Sequence, residues 1–141
     1  MKFNSKQLGN ITEVSVMLAF LKLGYNILTP YGDCERYDFV ADINGKFYKI
    51  QVKTSKEEEG KIEMNTASTN YVDGKCIHHS YSKDEIDYIA TIYNDKCYLI
   101  PVEICGKRTT SLRLIPAKNG QTRGVKMAQD YELEEVIKSL G

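Results

Sequence analysis

The chain has 141 residues, 42% of them hydrophobic, and its 19 basic and 19 acidic side chains cancel to zero formal net charge. That length suits one domain, residues 1–141, around a single packed core, and the balance carries no global nucleic-acid signal, so any field that attracts a polyanion must be local. No cleavable leader pattern opens the chain, no apolar run is long enough to span a bilayer, and Cys34, Cys76, Cys97 and Cys105 form no CxxC pair, so a cytoplasmic protein without a membrane partner is expected, its cysteines lone buried thiols.

Leu8, Ile11, Val14, Leu18 and Leu21 recur at three- and four-residue spacing and predict a helix with these residues as its core face, ended by Gly24. Glu13 lies in this helix between apolar positions. A short strand over Tyr25–Leu28 is closed by Pro30 and Gly32-Asp33. Asn44-Gly45 between two β-rich runs predicts a tight hairpin, with Phe39, Ala41 and Ile43 on one face of its first strand. Lys61–Ala67 reads as a third strand. The polar, tyrosine-rich stretch Ser68–Tyr81 reads as a loop, and Ser82-Lys83-Asp84-Glu85 has the capping-box spacing that starts a helix. Two further β-type runs, Asp87–Tyr93 and Cys97–Pro101, flank Asn94-Asp95-Lys96 as a second hairpin. Leu112–Ile115 is a small extra strand, and Leu133, Val136, Ile137 and Leu140 mark a closing helix. A helix, then antiparallel hairpins, then a helix predicts an α/β domain with a central mixed sheet.

The first hairpin concentrates the chemistry. Alternation along its second strand turns Gln51 and Lys53 one way and Ile50 and Val52 into the core. Folding the hairpin back brings Asp38, at the start of the first strand, beside them. An acid, an amide oxygen and a lysine on one spot suit a hard divalent cation next to a charge-stabilising amine, the equipment for metal-dependent phosphodiester cleavage. Taken singly, each residue has an ordinary role: a turn-capping acid, a solvated amide, an edge lysine, a surface helix acid. The ordered set points to a site.

These residues, with Gly9-Asn10-Ile11-Thr12-Glu13, Leu23-Gly24-Tyr25, Pro30-Tyr31-Gly32, Tyr37-Asp38, Gln51-Val52-Lys53-Thr54, Ile86-Asp87-Tyr88-Ile89-Ala90, Cys97-Tyr98-Leu99-Ile100-Pro101 and Ser111-Leu112-Arg113-Leu114, give a chain that resembles the PD-(D/E)xK nuclease superfamily. It is most similar to the small endonuclease branch that contains a group I intron-encoded homing endonuclease. The resemblance implies a restriction-endonuclease-like core and an Mg²⁺-dependent endodeoxyribonuclease, with Mn²⁺ as a substitute. It implies Asp38 as principal metal-binding acid, Glu13 as supporting acid, Gln51 where most members carry Glu or Asp, and Lys53 as the motif lysine. The usual proline before the aspartate is replaced by Tyr37.

Cys76-Ile77-His78-His79 lacks the paired spacing of a zinc site and reads as solvated loop. Tyr71, Tyr81 and Tyr88 read as core or sheet-face residues. From Ile104 to Gln129 the chain has no acid, while Lys107, Arg108, Arg113, Lys118, Arg123 and Lys126 punctuate it, and this stretch is the expected contact with a DNA backbone. Cutting both strands needs two active sites, so a homodimer or homotetramer is expected. A site-specific endonuclease of homing or restriction type leads. A structure-specific nuclease such as a Holliday junction resolvase, and a silent DNA-binding module of the same fold, are the alternatives.

Overall fold

The computed structural model describes residues 1–140. Helix α1, Ser5–Lys22, starts in a reciprocal capping box: Asn4 Oδ1 accepts from Gln7 N at 2.8 Å, and Gln7 Oε1 from Asn4 N at 2.9 Å. It ends as expected at Gly24, where φ of +88° lets Gly24 N and Tyr25 N donate to the carbonyls of Leu21 and Phe20. Strands β1 (Asn26–Leu28), β2 (Phe39–Ile43) and β3 (Lys46–Val52) follow. Next come β4 (Ser55–Glu58), β5 (Lys61–Asn65), β6 (Ala67–Val72), β7 (Lys75–Ser80), β8 (Tyr88–Tyr93), β9 (Lys96–Pro101) and β10 (Thr109–Arg113). A 3₁₀ turn over Ala128–Tyr131 leads into α2, Leu133–Ser139.

The central sheet has the order β1-β2-β3-β8-β9 and is antiparallel except at the β3–β8 join. Asp87 seals that parallel seam, accepting from Lys49 N through Oδ2 at 2.8 Å and donating its own N–H to the Lys49 carbonyl at 2.9 Å. One face is covered by the helices, through Val16 and Phe20 of α1 and Leu133 and Val136 of α2 against Phe39, Ala41, Ile50 and Leu99. The other carries the small sheet β10-β5-β4, through Ile62, Met64 and Leu112 against Ile89 and Ile100. This is the expected α/β architecture with a mixed central sheet flanked by helices, and the helices share one face.

Hairpin turns organise the chain. Asn44 and Gly45 both take positive φ, +55° and +85°, as a two-residue turn between right-twisted strands requires, and the predicted β2–β3 hairpin forms with Phe39, Ala41 and Ile43 buried. Asn94 and Asp95 do the same between β8 and β9.

Four expectations are corrected. The segment Ser68–Tyr81 is not a loop but the hairpin β6–β7, turning at Asp73-Gly74, with Tyr71 exposed on it. Its strands lack apolar alternation because every residue beyond Ser68 is exposed, so no burial pattern marked them. The Ser82–Glu85 box closes on one side only: Ser82 N and Oγ donate to Glu85 Oε1 at 3.0 and 3.1 Å, but Glu85 N donates to the Ser82 carbonyl at 3.0 Å and not to the hydroxyl, and the segment holds a single turn, because Ile86 is buried and Tyr88 is already in the sheet. The thiols divide: Cys97 is buried and Cys105 half-buried, with burial pushing them up to about 12 and about 11, while Cys34 and Cys76 are exposed. The largest correction concerns α1. Its predicted core stripe faces outward: Leu8, Ile11, Val14, Leu18 and Leu21 are 41–60% exposed. The sheet instead receives Thr12, Val16 and Phe20. The helix is apolar on several sides, so spacing identified a stripe without identifying which stripe the sheet takes. Phe20 decides it, packing edge-on to Phe39 with ring centroids 5.5 Å apart.

Truncations on the two sides of α1 separate them. Phe20→Ala should cost about 3–5 kcal/mol of unfolding free energy, as buried aromatic truncations do. Leu18→Ala should change the unfolding of the dilute protein by less than about 1 kcal/mol. Denaturant titrations check both; comparable losses would place the outer stripe in the core.

Candidate active site

The register of the β2–β3 hairpin builds the site. Phe39 pairs with Ile50, so extending the register by one residue sets Asp38 opposite Gln51. Asp38 N donates to the Ile50 carbonyl at 2.8 Å, and Asp38 Oδ2 accepts from Val52 N at 2.7 Å. The carboxylate is thus held across the end of β3, and among the described residues its second oxygen accepts no hydrogen bond. At Lys53 the chain leaves the central sheet. Lys53 N still donates to the Ala90 carbonyl at 2.9 Å, but Ser55 already belongs to the small sheet. Gln51 and Lys53 stand half-buried at this fork, flanking the buried Val52, as the alternation predicts. The Gln51 amide nitrogen lies 3.5 Å from the Val52 carbonyl, which leaves its oxygen the freer end.

Glu13 joins from α1. The buried Thr12 donates to the Leu8 carbonyl at 2.8 Å, and its hydroxyl lies 3.3 Å from that of Thr54, the residue after Lys53. This contact pins the helix beside the fork. Glu13 and Asp38 line one open pocket of about 340 Å³ with Pro30, Gly32 and Tyr37. Burial pushes the Asp38 carboxyl above the usual aspartate range, offset in part by the Val52 N–H and the Lys53 charge. Burial and the Asp38 charge raise Glu13 likewise. Both acids therefore sit where added positive charge is favoured.

A support that sequence spacing does not reveal surrounds the lysine. Arg36, two residues before Asp38, donates to both carboxylate oxygens of Glu85 at 2.7–2.8 Å, to Ser68 Oγ at 2.8 Å and to the His79 carbonyl at 3.2 Å. It ties the base of the β6–β7 hairpin to the segment carrying Asp38. The Arg36 guanidinium lies 3.9 Å from the Tyr81 ring centroid and Lys53 Nζ lies 5.3 Å from it, so the ring steadies both cations. The one visible signal was the Ser82–Glu85 spacing, whose acid serves Arg36 as much as the turn.

The basic stretch divides. Lys107 and Arg108 precede Thr109, which pairs with Asn65 at the end of the small sheet nearest Thr54. Arg113 pairs with Lys61 at the opposite end, and its guanidinium donates to the carbonyls of Ile115 and Pro116. Lys118, Arg123 and Lys126 lie on the loop that follows. Cys76, His78 and His79 stand exposed on β7, with Cys76 Sγ 3.7 Å from His78 Nε2.

Known proteins resemble this chain in sequence and in fold. The family described as PD-(D/E)XK endonuclease matches residues 3–134. Protein 5.3 of Escherichia phage T7 is 27% identical over 115 residues, an alignment covering 75% of this chain and 94% of the phage protein. The solved structure of the bacterial homing endonuclease I-Ssp6803I superposes with a TM-score of 0.78 over 97% of this chain and 95% of its own, at 22% identity, a likeness of fold. Among the described residues no helix is long and apolar enough to cross a membrane. With the match running from the N-cap of α1 into α2, the chain belongs to the PD-(D/E)XK endonuclease family.

Proposed function

We propose that this protein is an Mg²⁺-dependent endodeoxyribonuclease that cuts double-stranded DNA at defined sites, with Glu13, Asp38, Gln51 and Lys53 as its catalytic set. The observation that supports the reading is that two carboxylates raised in pKa chiefly by burial share one pocket beside the β3 fork that carries Gln51 and Lys53, in a PD-(D/E)XK chain. The fold shared with a homing endonuclease favours site-specific cutting over junction resolution.

The donor set suits a hard cation. Among the described residues no three His, Cys, Asp or Glu side chains converge as a metal cage. Mg²⁺ does not need one: it keeps several waters and takes one or two carboxylates. Asp38 offers the oxygen not engaged by Val52, Glu13 a second carboxylate and Gln51 a neutral amide oxygen. When bound, the ion supplies an acidified water and neutralises charge on the phosphoryl oxygens. Lys53, steadied over Tyr81, adds a fixed positive charge where negative charge develops in the transition state. Gln51 in place of an acid removes one negative charge, so metal affinity rests on Asp38 and Glu13. Lys107 and Arg108 meet phosphates near the site, and Lys118, Arg123 and Lys126 extend the footprint, with Arg113 bracing their loop.

Three measurements test this reading. Asp38→Ala should abolish cleavage of duplex DNA in Mg²⁺ or Mn²⁺, and Lys53→Ala should slow single-turnover cleavage about 10²–10³-fold with little change in DNA affinity. Wild-type rates in Asp38→Ala would refute the assignment, and preference for a four-way junction over linear duplex would favour the resolvase.

The second is thermal. Because the Asp38 pKa is raised on folding, the stability tied to its proton is fully present below the unfolded value of about 3.9 and is lost as the pH rises through the folded one. Asp38→Asn keeps an acceptor for Val52 N without a charge to desolvate. It should melt above wild type near neutral pH, with the gap closing in acid. Mg²⁺ should raise the melting temperature of wild type and not of the variant. A gap that ignores pH would mean that Asp38 is not strained.

The third is electrostatic. Lys118→Ala with Arg123→Ala should weaken binding to all duplexes alike and lower the slope of log affinity against log salt by about one unit per contact, leaving the rate on saturating DNA unchanged. An unaltered slope would remove this loop from the DNA surface.

A further inference from the structure

Helix α1 carries an apolar seam that nothing in the described chain covers. Ile11, Val14, Leu18 and Leu21 are spaced three, four and three residues apart, the a/d rhythm of a coiled-coil face, and are 45–60% exposed. A helix of this exposure ordinarily turns a polar face outward. Here the three charged residues, Lys6, Glu13 and Lys22, lie off the seam.

We propose that the seam binds a second copy of this chain, with the two α1 helices antiparallel across a two-fold axis level with Val16. The spacing is self-complementary in that direction. Reversed, it reads three, four, three again, so Ile11 meets Leu21 of the second copy and Val14 meets its Leu18, giving four apolar layers and opposing no like charges. A closed two-fold contact uses the same patch on both copies, as such a palindrome does. Antiparallel packing also sets the positive end of each helix dipole against the negative end of the other. From Ile11 to Leu21 the seam runs only about 15 Å, against roughly 800 Å² per partner in a standard interface, so it forms the dry centre of a modest contact with Gln7, Asn10 and Lys22 at its rim. The dimer is therefore concentration dependent and is tightened when both copies hold one DNA. Its consequence for cleavage rests on the nuclease reading. Glu13 is next to Val14, so the seam places the second catalytic site relative to the first.

Size-exclusion chromatography with light scattering, over a concentration series with and without duplex DNA, tests the seam independently of cleavage. Wild type and Asp38→Ala should both approach twice the monomer mass. Leu18→Glu should stay monomeric with its far-UV circular dichroism and melting curve kept, and should convert supercoiled plasmid to nicked circles with loss of linear product. Ile11→Lys and Leu21→Glu should each weaken the dimer, and the two combined in one chain should restore it, because antiparallel packing pairs each lysine with a glutamate of the other copy. Dimeric mass in Leu18→Glu, monomeric wild type under every condition, or a double variant weaker than both singles overturns the proposal. Absence of cleavage by a wild type that still dimerises through this seam would count against the nuclease reading alone.

Discussion

The hydrogen bond from Val52 N to Asp38 Oδ2 is the contact on which the site depends. It spans the open end of a hairpin whose register is set at the other end by Asn44 and Gly45. A one-residue slip would turn Asp38 and Gln51 to opposite faces and move either Phe39 or Ile50 off the helix-packed face. Core burial and site geometry are thus enforced by the same pairing. The bond also compensates part of what burial costs the carboxylate, which remains raised in pKa. A site poised to gain positive charge is kept in place by a core that gains nothing from it.

Around that bond the chain forks. The central sheet buries one face under the helices and the other under β4, β5 and β10, and Lys53-Thr54 is where the backbone passes from one sheet to the other. The fork leaves polar groups at a sheet end where neither layer covers them. Two ties keep it from splaying. Thr12 and Thr54 join the helix to the fork, and Arg36, Tyr81 and Glu85 join the β6–β7 hairpin to the Asp38 segment. Arg36 Nη1 bridges both Glu85 oxygens while Nη2 holds Ser68 and the His79 carbonyl, so the partly shielded ion pair is one part of a hydrogen-bonded network.

Helix α1 carries three demands at once. Thr12, Val16 and Phe20 face the sheet, Glu13 borders the pocket, and Ile11, Val14, Leu18 and Leu21 face outward. The capping box and the glycine-terminated end fix its length, so the three faces keep their relative angles. Such a helix violates the usual division into one apolar and one polar side, and departures of that kind concentrate where a surface has work beyond folding.

Much of this was legible in the residues themselves. Asn44-Gly45 with alternating neighbours determined the first hairpin, and with it the approach of Asp38 to Gln51 and Lys53, because turn chemistry and side-chain alternation are local properties. The glycine after α1, the second hairpin and the family resemblance were readable for the same reason. What remained hidden depended on distant partners. The β6–β7 hairpin buries almost nothing, so it leaves no hydrophobic rhythm. The Ser82–Glu85 box stopped at one turn because the sheet claims the next residues, and the Arg36–Tyr81–Lys53 support joins segments far apart in the chain. The clearest case is α1. Local periodicity states that a helix has an apolar stripe, but the choice between two stripes was made by the fit of Phe20 against Phe39, a contact that exists only once the sheet is assembled.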